Sequence, residues 1–341
     1  MSKFLLSTVL LFILMASCAP TSHKTVSKPT DPSHPLQDVS QTNAIATGES
    51  LSIDTSIYKT PSSLMDLPVS QDGDIILSEG LYETEFKSYC LQPGTPSPSD
   101  RDAYLQAPLY SNRKDIVETA LRNSLDKPHL DQKNIQLLLW SIVSGSNYNK
   151  LSGNVQSTAE QLLTSKQIFQ LKGGYAGIVK NYASFIPESN VKNIFNQMNN
   201  LFELGTSSYE AYERIAVPSG PSVIKHPEYK KEQWYKQPEG YYVRYFPSNY
   251  KKVKVQVFVP KGILDTTGKK DGSYISFDPV TMMAIPANSN AQRLGIGAPV
   301  IDIVRKVIQI ERQLPRPTPK KPVPQQTPNP PTPTKTPNKT T

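Results

Sequence analysis

The sequence predicts an α+β protein, with a largely helical domain at residues 73–217 and a smaller β-rich domain at residues 218–314. Two observations carry this prediction. Between residues 115 and 204, apolar side chains recur every three or four positions, which is the period of a helix with one buried face. After residue 217, β-branched and aromatic residues gather in short runs separated by Pro, Asn, Asp and Gly, which is typical of strands joined by turns.

The first domain begins with two predicted strands, Asp74–Leu77 and Tyr82–Cys90, joined by a turn at residues 78–80. Residues 91–114 are rich in turn-forming residues. Their first part contains three prolines and a glycine, which exclude a regular helix or a central strand. The helical period then predicts five helices, at Asp115–Leu125, Asp131–Val143, Ser157–Lys172, Ile178–Ile186 and Asn190–Leu204.

Local signals mark the ends of these helices. Pro128 stops the first helix, and Gly145 stands just beyond the end of the second. The third helix is predicted to open with a capping box at residues 157–160 and to close at Gly173-Gly174.

The second domain contains three predicted strands, Tyr241–Phe246, Val253–Val259 and Tyr274–Phe277. Residues 287–293 are predicted to be an ordered loop. A last helix, Val300–Gln313, is expected to end the fold.

Residues 1–17 have the features of a signal peptide. One lysine precedes a mostly apolar run over residues 4–15, which is too short for a membrane-spanning helix. The residues Met15-Ala16-Ser17-Cys18 resemble a bacterial lipobox, and this resemblance implies that Cys18 becomes the lipidated first residue of a lipoprotein. The alternative is a plain signal peptide cut nearby. The chain is therefore expected to be exported, and with the lipid it would be anchored to a membrane of the bacterial cell envelope.

Two segments without a core-forming pattern flank the predicted domains. Residues 18–72 are rich in Ser, Thr, Pro and Asp and poor in aromatic residues, which predicts a disordered tether. Residues 315–341 contain ten prolines and seven threonines, which predicts an extended tail with polyproline II character. This tail carries five Lys or Arg residues and no acid, whereas the whole chain has a net charge of +8. Because so much of the charge belongs to the tail of an exported protein, nucleic acid is not an expected partner.

A second basic segment lies within the predicted β-rich domain. Residues 225–271 hold eleven Lys or Arg and five Asp or Glu, interleaved with seven Tyr or Trp residues. Ring faces and cationic donors of this kind suit a glycan or an anionic polymer. The alternative is a strand domain whose aromatic residues face inward while its lysines face water.

Cys90 and Gln136 have the most unusual settings in the chain. The chain has two cysteines, and Cys18 is either taken by the anchor or removed with the signal. Cys90 therefore has no partner for a disulfide within the chain. Gln136 stands in the apolar stretch 135–140, where a buried amide needs hydrogen-bond partners. Trp140 lies one turn further along the same helix face.

These residues carry a resemblance to a known family. Tyr89-Cys90 before an aliphatic residue, followed downstream by an aliphatic residue, Gln136 and Trp140, resembles the thioester domains of bacterial surface adhesins. The resemblance implies that the sulfur of Cys90 and the side-chain carbonyl of Gln136 condense, with release of ammonia, to form an internal thioester. It also implies that Tyr89 and Trp140 flank the thioester. The Pro-rich loop after Cys90 and the position of Tyr104 are similar to the family as well.

Two alternative roles for Cys90 stay open. The pattern is equally consistent with a buried, inert cysteine next to a glutamine that caps a backbone group. A cysteine hydrolase with His129 or His226 as the base is a further alternative, although no third, orienting residue is evident. Four scattered histidines and two cysteines give no metal cluster, and no phosphate-binding loop follows a strand. We therefore expect no enzyme, no metal and no cofactor.

Taken together, these patterns predict a lipid-anchored bacterial surface protein. The expected partner carries an amine, which would attack a thioester formed by Cys90 and Gln136 and become covalently attached. The alternative function is that of a non-catalytic envelope lipoprotein, which binds peptidoglycan or another envelope polymer through the β-rich domain and the basic tail.

Overall fold

The computed structural model describes most of the chain between residues 50 and 300, without positions 52, 54, 56 and 59 and the segments 110–112 and 174–187. Several predictions fall outside the described residues: the lipid anchor at Cys18, the helix Ile178–Ile186, the helix Val300–Gln313 beyond its first residue, and the tail 315–341. None of the helices in the described part is long and apolar enough to cross a membrane.

The fold is α+β, which confirms the predicted class, with six α-helices and eleven strands among the described residues. The strands are β1 (Ser50–Leu51), β2 (Ser62–Ser63), β3 (Ile75–Ile76), β4 (Gly80–Cys90), β5 (Tyr104–Pro108), β6 (Trp234–Lys236), β7 (Tyr242–Asn249), β8 (Lys252–Val259), β9 (Ser276–Phe277), β10 (Met282–Pro286) and β11 (Leu294–Pro299). The helices are α1 (Lys114–Leu125), α2 (Gln132–Ser144), α3 (Gly153–Leu162), α4 (Ser165–Lys172), α5 (Glu188–Glu203) and α6 (Tyr209–Ala216).

One sheet organises the described part of the chain. Its strands follow the order β1-β6-β7-β8-β4-β11-β10-β5, and β2 pairs in addition with β4. The pairs are antiparallel except for β2 with β4, and β3 and β9 form a separate two-stranded sheet. The long strand β4 pairs with β8 from Gly80 to Lys87 and with β11 near its end, where Cys90 lies opposite Leu294.

This topology corrects the predicted division into domains 73–217 and 218–314. β4 comes from the first of these segments, while its neighbours β8 and β11 come from the second. Strands from both predicted domains therefore lie in one sheet, and the chain up to Val300 does not divide into two domains at residue 217. A boundary drawn where helical periodicity gives way to strand periodicity misses this arrangement, because pairing between distant strands leaves no local signal.

Side-chain alternation explains how the sheet buries one face. In β8 the four valines at positions 253, 255, 257 and 259 are buried, while Lys252 and Lys254 alternate with them and are partly exposed. The sheet curves enough for β5 to approach β7, where the hydroxyl of Tyr245 donates to Oε1 of Gln106 at 2.9 Å. The strand cores predicted at Tyr82–Cys90 and Val253–Val259 are confirmed.

The helical block covers the end of this sheet, with α2 at its centre. All residues of α2 from Ile135 to Ser144 are buried, because the helix contacts α1, α3, α5 and α6 as well as β4. The side chain of Asp131 caps its first turn, and Gly145 ends it with a φ of 76°. Gly145 thus ends the helix at the position that the sequence predicts.

The predicted helix Ser157–Lys172 is two helices, α3 and α4. The chain becomes extended at Leu163, and Thr164 then caps α4 by a reciprocal capping box with Gln167. The capping box predicted at residues 157–160 is therefore misplaced, because the apolar period runs on across this break. The helix predicted at Asn190–Leu204 is confirmed as α5.

The structure differs from the predicted tether 18–72 at its C-terminal end. Residues 62–66 form β2 and a 3₁₀ turn, and Leu64 within this turn is completely buried. The backbone N–H of Leu64 donates to the hydroxyl of Thr84, which fixes the turn to β4. The prediction missed these short ordered segments because it rested on the average composition of residues 18–72, which is poor in aromatic residues.

Candidate functional site

The candidate site lies where the end of β4 meets the middle of α2. Cys90 is the last residue of β4, and its side chain is 0% exposed. Gln136 lies on the second turn of α2 and is 2% exposed. The fold therefore brings together, in a site closed to solvent, the two residues that the sequence singled out.

Two hydrogen bonds join Gln136 to the backbone of Cys90. The N–H of Cys90 donates to Oε1 of Gln136 at 2.8 Å, and Nε2 of Gln136 donates to the carbonyl oxygen of Cys90 at 2.9 Å. The glutamine thus caps the end of β4, as expected for an inert cysteine beside a capping amide. The same geometry also holds its carboxamide against the residue that carries the thiol.

A second glutamine fixes the position of α2 on β4. Nε2 of Gln132 donates to the carbonyl oxygens of Ser88 at 3.1 Å and of Lys251 at 2.7 Å. Gln132 and Gln136 stand one turn apart on the same helix face, and they bind β4 at Ser88 and Cys90, which face the same side of the strand. The helix is therefore held in register with the strand at two successive points.

The thiol of Cys90 is held in its neutral form. Burial raises its pKa from 9.0 to about 12, although N–H groups of the Trp140 indole and the Gln92 backbone favour the thiolate. Tyr104, also buried, donates its hydroxyl proton to the carbonyl oxygen of Gln292 at 2.8 Å. Burial, followed by the nearby Asp102 and Cys90, raises the pKa of Tyr104, so this group stays neutral as well.

An aromatic stack covers the site on the side of α6. The ring of Tyr209 stacks on Trp140 with centroids 5.6 Å apart, and the ring of Tyr250 lies 6.4 Å from Trp140. The hydroxyls of Tyr209 and Tyr250 are 2.8 Å apart, and Tyr250 also bonds to the carboxylate of Glu213. This stack separates the Cys90 region from water.

Ion pairs close the outer side of the stack. Lys133 pairs with Glu210 at 2.9 Å, and Lys251 pairs with Glu213 at 2.9 Å. Both ammonium groups also lie over the ring of Tyr209, at 5.1 Å and 5.5 Å from its centroid. The hydrogen bond that Lys133 donates to Glu210 raises the pKa of Lys133, which keeps this lysine charged.

Two glycines of β11 make room for neighbouring side chains, Gly297 for the ring of Tyr89 and Gly295 for Leu91. Gly295 is the partner of Tyr89 in the sheet, and a Cβ atom on Gly297 would lie only 2.7 Å from the ring of Tyr89. A Cβ atom on Gly295 would lie 3.0 Å from Leu91. These glycines were not among the residues predicted to form the site. Their alternation, Gly295-Ile296-Gly297, is the signal that marks two positions on one face of a strand.

Three buried hydrogen-bond donors near the junction of β4 and α2 form no hydrogen bond of normal geometry among the described residues: Tyr89 Oη, Gln92 Nε2 and Trp140 Nε1. Buried polar groups are almost always hydrogen-bonded, so three such donors within or beside the predicted site residues are unusual.

The two histidines considered as a base for Cys90 lie elsewhere. His129 is 3.4 Å from Oε1 of Gln161, and His226 is 3.2 Å from the carboxylate of Glu228. Both contacts are at the surface, whereas Cys90 is completely buried. The structure therefore gives no support to a cysteine hydrolase.

The basic segment 225–271 has its rings turned inward. Seven of its nine aromatic residues are buried, which agrees with the inward-facing alternative and leaves few ring faces for a glycan. The seven are Trp234, Tyr235, Tyr241, Tyr242, Tyr245, Tyr250 and Phe258.

Comparisons of the chain with protein-family models, with curated proteins and with solved structures gave no match. The resemblance to thioester domains therefore rests on the two short motifs around Cys90 and Gln136, which the fold brings into contact. Within the described residues, no group of three or more His, Cys, Asp or Glu side chains is placed to hold a metal ion.

Proposed function

We propose that this protein is a lipid-anchored bacterial surface protein that binds amine-bearing partners covalently through a thioester between Cys90 and Gln136. The observation that carries the proposal is the pair of hydrogen bonds from the Gln136 carboxamide to the backbone of Cys90, at 2.8 and 2.9 Å. They join two residues that are 46 positions apart in the chain.

The bond forms by a condensation within the chain. The carboxamide of Gln136 turns from the Cys90 backbone towards the thiol, and Sγ attacks the amide carbon Cδ. The C–S bond forms, the bond from Cδ to Nε2 breaks, and the nitrogen leaves as ammonia with the thiol proton. No oxidant, metal or cofactor takes part in this exchange.

The product is an activated acyl group stored in a dry pocket. Burial under the Trp140 and Tyr209 rings protects it from water until an amine reaches it. The nitrogen of the amine then attacks Cδ, the C–S bond breaks, and a proton passes from the nitrogen to the sulfur. The partner is left joined to Gln136 by an amide, and Cys90 is again a thiol.

This chemistry explains why the chain would be tethered to a membrane. A lipid on Cys18, followed by the tether that the composition predicts, would let the folded domain reach an amine on a nearby surface. Each molecule reacts once and is consumed, so the protein is a covalent binder and not an enzyme. A protein lysine or an amine of an envelope polymer would supply the nucleophile.

Intact mass spectrometry of the mature chain tests the proposal. Expressed from residue 19 onwards, the chain has Cys90 as its single cysteine. We expect a mass lower than the sequence mass by one ammonia. Incubation with methylamine should then add the mass of one methylamine at Gln136, so that the chain exceeds its sequence mass by one CH2, and release a free thiol.

Three variants make the test specific. Cys90→Ala and Gln136→Ala should each show the full sequence mass and no methylamine adduct. Gln132→Ala is the matched control, because Gln132 also binds the β4 backbone but lies a turn away from Cys90, so it should still lose ammonia. An unmodified mass for the natural chain, with one titratable thiol after denaturation, would contradict the proposal.

A further inference from the structure

Trp140 combines complete burial with an unused hydrogen-bond donor. Its side chain is 0% exposed, and its indole Nε1 has no fully formed hydrogen bond among the described residues. The ring is fixed by its stack on Tyr209, at 5.6 Å and 24° between planes. A buried N–H without a full hydrogen bond destabilises the folded state, because the same group is hydrogen-bonded to water in the unfolded chain.

The sulfur of Cys90 is the polar atom that this N–H serves. Trp140 stands one helical turn after Gln136, on the same face of α2, and its indole N–H acts on the Cys90 side chain. The backbone N–H of Gln92, two residues beyond Cys90, also acts on the sulfur. A neutral thiol or a thioester sulfur is a weak acceptor, so neither donor is fully used in the resting state.

We propose that the indole N–H of Trp140, assisted by the backbone N–H of Gln92, stabilises the Cys90 sulfur as it gains negative charge when the thioester is made and broken. This inference rests on the proposed function. In both directions the sulfur passes through a thiolate-like state, and a hydrogen bond to an ionised acceptor is about twice as strong as one between neutral groups. The donor therefore acts mainly in the transition state, which is the condition for accelerating a reaction.

Neighbouring groups are already committed to other partners. The hydroxyl of Tyr104 donates to Gln292, and the hydroxyls of Tyr209 and Tyr250 bond to each other. The hydroxyl of Tyr89 is unpaired, but side chains of successive strand residues point to opposite faces, which directs it away from Cys90. Gln92 acts on the sulfur through its backbone N–H, so Trp140 is the residue whose side chain serves as a donor to it.

The test compares the thioester chemistry of the natural mature chain with that of Trp140→Phe. This variant keeps an aromatic ring and loses the N–H. A second variant carries benzothienylalanine at position 140, which preserves the shape of tryptophan and replaces the N–H by sulfur. For each protein, mass spectrometry gives the rate of methylamine addition and the rate of hydrolysis in buffer without amine.

We expect both rates to fall by about tenfold or more in both variants, since one donor to a developing anion is worth at least this factor. Slower hydrolysis is the decisive sign, because a pocket that is merely loosened admits water and hydrolyses faster. If a folded variant forms no thioester while the natural chain does, the same donor is needed when the thiolate attacks, which also supports the proposal. Trp234→Phe is the control and should keep the natural rates, because it makes the same change at the other tryptophan, which is buried in a separate cluster with Tyr242 and Phe258.

Two outcomes overturn the inference, and they can be told apart. If the natural chain itself shows no loss of ammonia, the proposed function fails and the role of Trp140 fails with it. If the natural chain carries the thioester but both variants react at its rates, or hydrolyse faster, the proposed function stands and the role of Trp140 is refuted.

Discussion

Two buried polar clusters of this protein contrast in how completely they are hydrogen-bonded. In the first, the carboxylate of Asp102 accepts from the backbone N–H and the hydroxyl of Ser99 at 2.6 and 2.8 Å, and from the hydroxyl of Ser222 at 2.6 Å. In the second, around Cys90, the N–H of Trp140 and the Nε2 of Gln92 form no hydrogen bond of normal geometry among the described residues.

This difference in hydrogen bonding distinguishes buried polar groups that stabilise the fold from buried donors that have no strong partner in the resting structure. Asp102 ties the loop after β4 to the loop that carries Ser222, and each of its oxygens is used. A fully satisfied buried network stabilises a single conformation, whereas unused buried donors cost stability. Donors kept at such a cost beside a buried thiol point to chemistry that needs them at another moment.

At neutral pH, the largest effect is expected when the satisfied cluster is broken. Asp102→Ala removes the acceptor of Ser99 and Ser222, and should lower the free energy of unfolding by about 3 kcal/mol. Chemical denaturation measures this change. Asp100→Ala is the matched control, because Asp100 is 98% exposed and its ion pair with Lys231 is worth less than about 0.5 kcal/mol. Equal losses for the two variants would refute the structural role of Asp102.

The second prediction uses the pKa of Cys90 and needs the free thiol, which Gln136→Ala provides. Folding raises this pKa from 9.0 to about 12, so the unfolded chain loses its proton first as pH rises. The contribution of the neutral thiol is complete below pH 9.0 and is lost progressively towards pH 12. Each pH unit in this window should lower the free energy of unfolding by about 1.4 kcal/mol.

Removing the thiol isolates this pH dependence from that of the buried tyrosines. Denaturation curves of Gln136→Ala and of the double variant Gln136→Ala/Cys90→Ala should diverge above pH 9.0, with the double variant losing less stability. Parallel curves across the window would show that Cys90 titrates at its ordinary value and is not buried as described.

The smallest effect is expected from Tyr89→Phe. The Tyr89 hydroxyl is buried and unpaired, so its removal should leave stability unchanged or raise it by up to about 1 kcal/mol. Tyr104→Phe is the matched control, since the hydroxyl of Tyr104 donates to Gln292 at 2.8 Å and its loss should cost about 1 kcal/mol. Thermal unfolding of the two variants gives the comparison. A destabilised Tyr89→Phe would mean that this hydroxyl has a partner after all.

Parts of the fold with strong local periodicity could be predicted from the sequence. The apolar stripe of α2 and its Gly145 stop indicated the helix, and the alternating valines of β8 indicated the strand. The strands β10 and β11 contain Gly, Ala and Pro in place of β-branched runs, and residues 104–108 lie in a turn-rich stretch. These three strands exist because distant partners supply their hydrogen bonds, which no local pattern reports.

The candidate site likewise contains residues that the sequence indicated and residues that only the structure reveals. Cys90, Gln136 and Trp140 could be singled out because a lone thiol and an amide in an apolar helix are conspicuous in any sequence. The contributions of Gly297 and Gln132 depend on register, since one makes room for the Tyr89 ring and the other locks α2 to β4. Register follows from the whole sheet and cannot be read from a short window.

The place of β4 between β8 and β11 has a consequence for the order of assembly. A strand made early is completed only by partners that are made late, since Cys90 meets Leu294 near the end of the described chain. Such distant pairing slows folding, because the entropy cost of closing a long loop comes before the stabilising contacts between the strands can form. Until the late strands are made the thiol is therefore unshielded, and its pocket closes only when β11 pairs with β4.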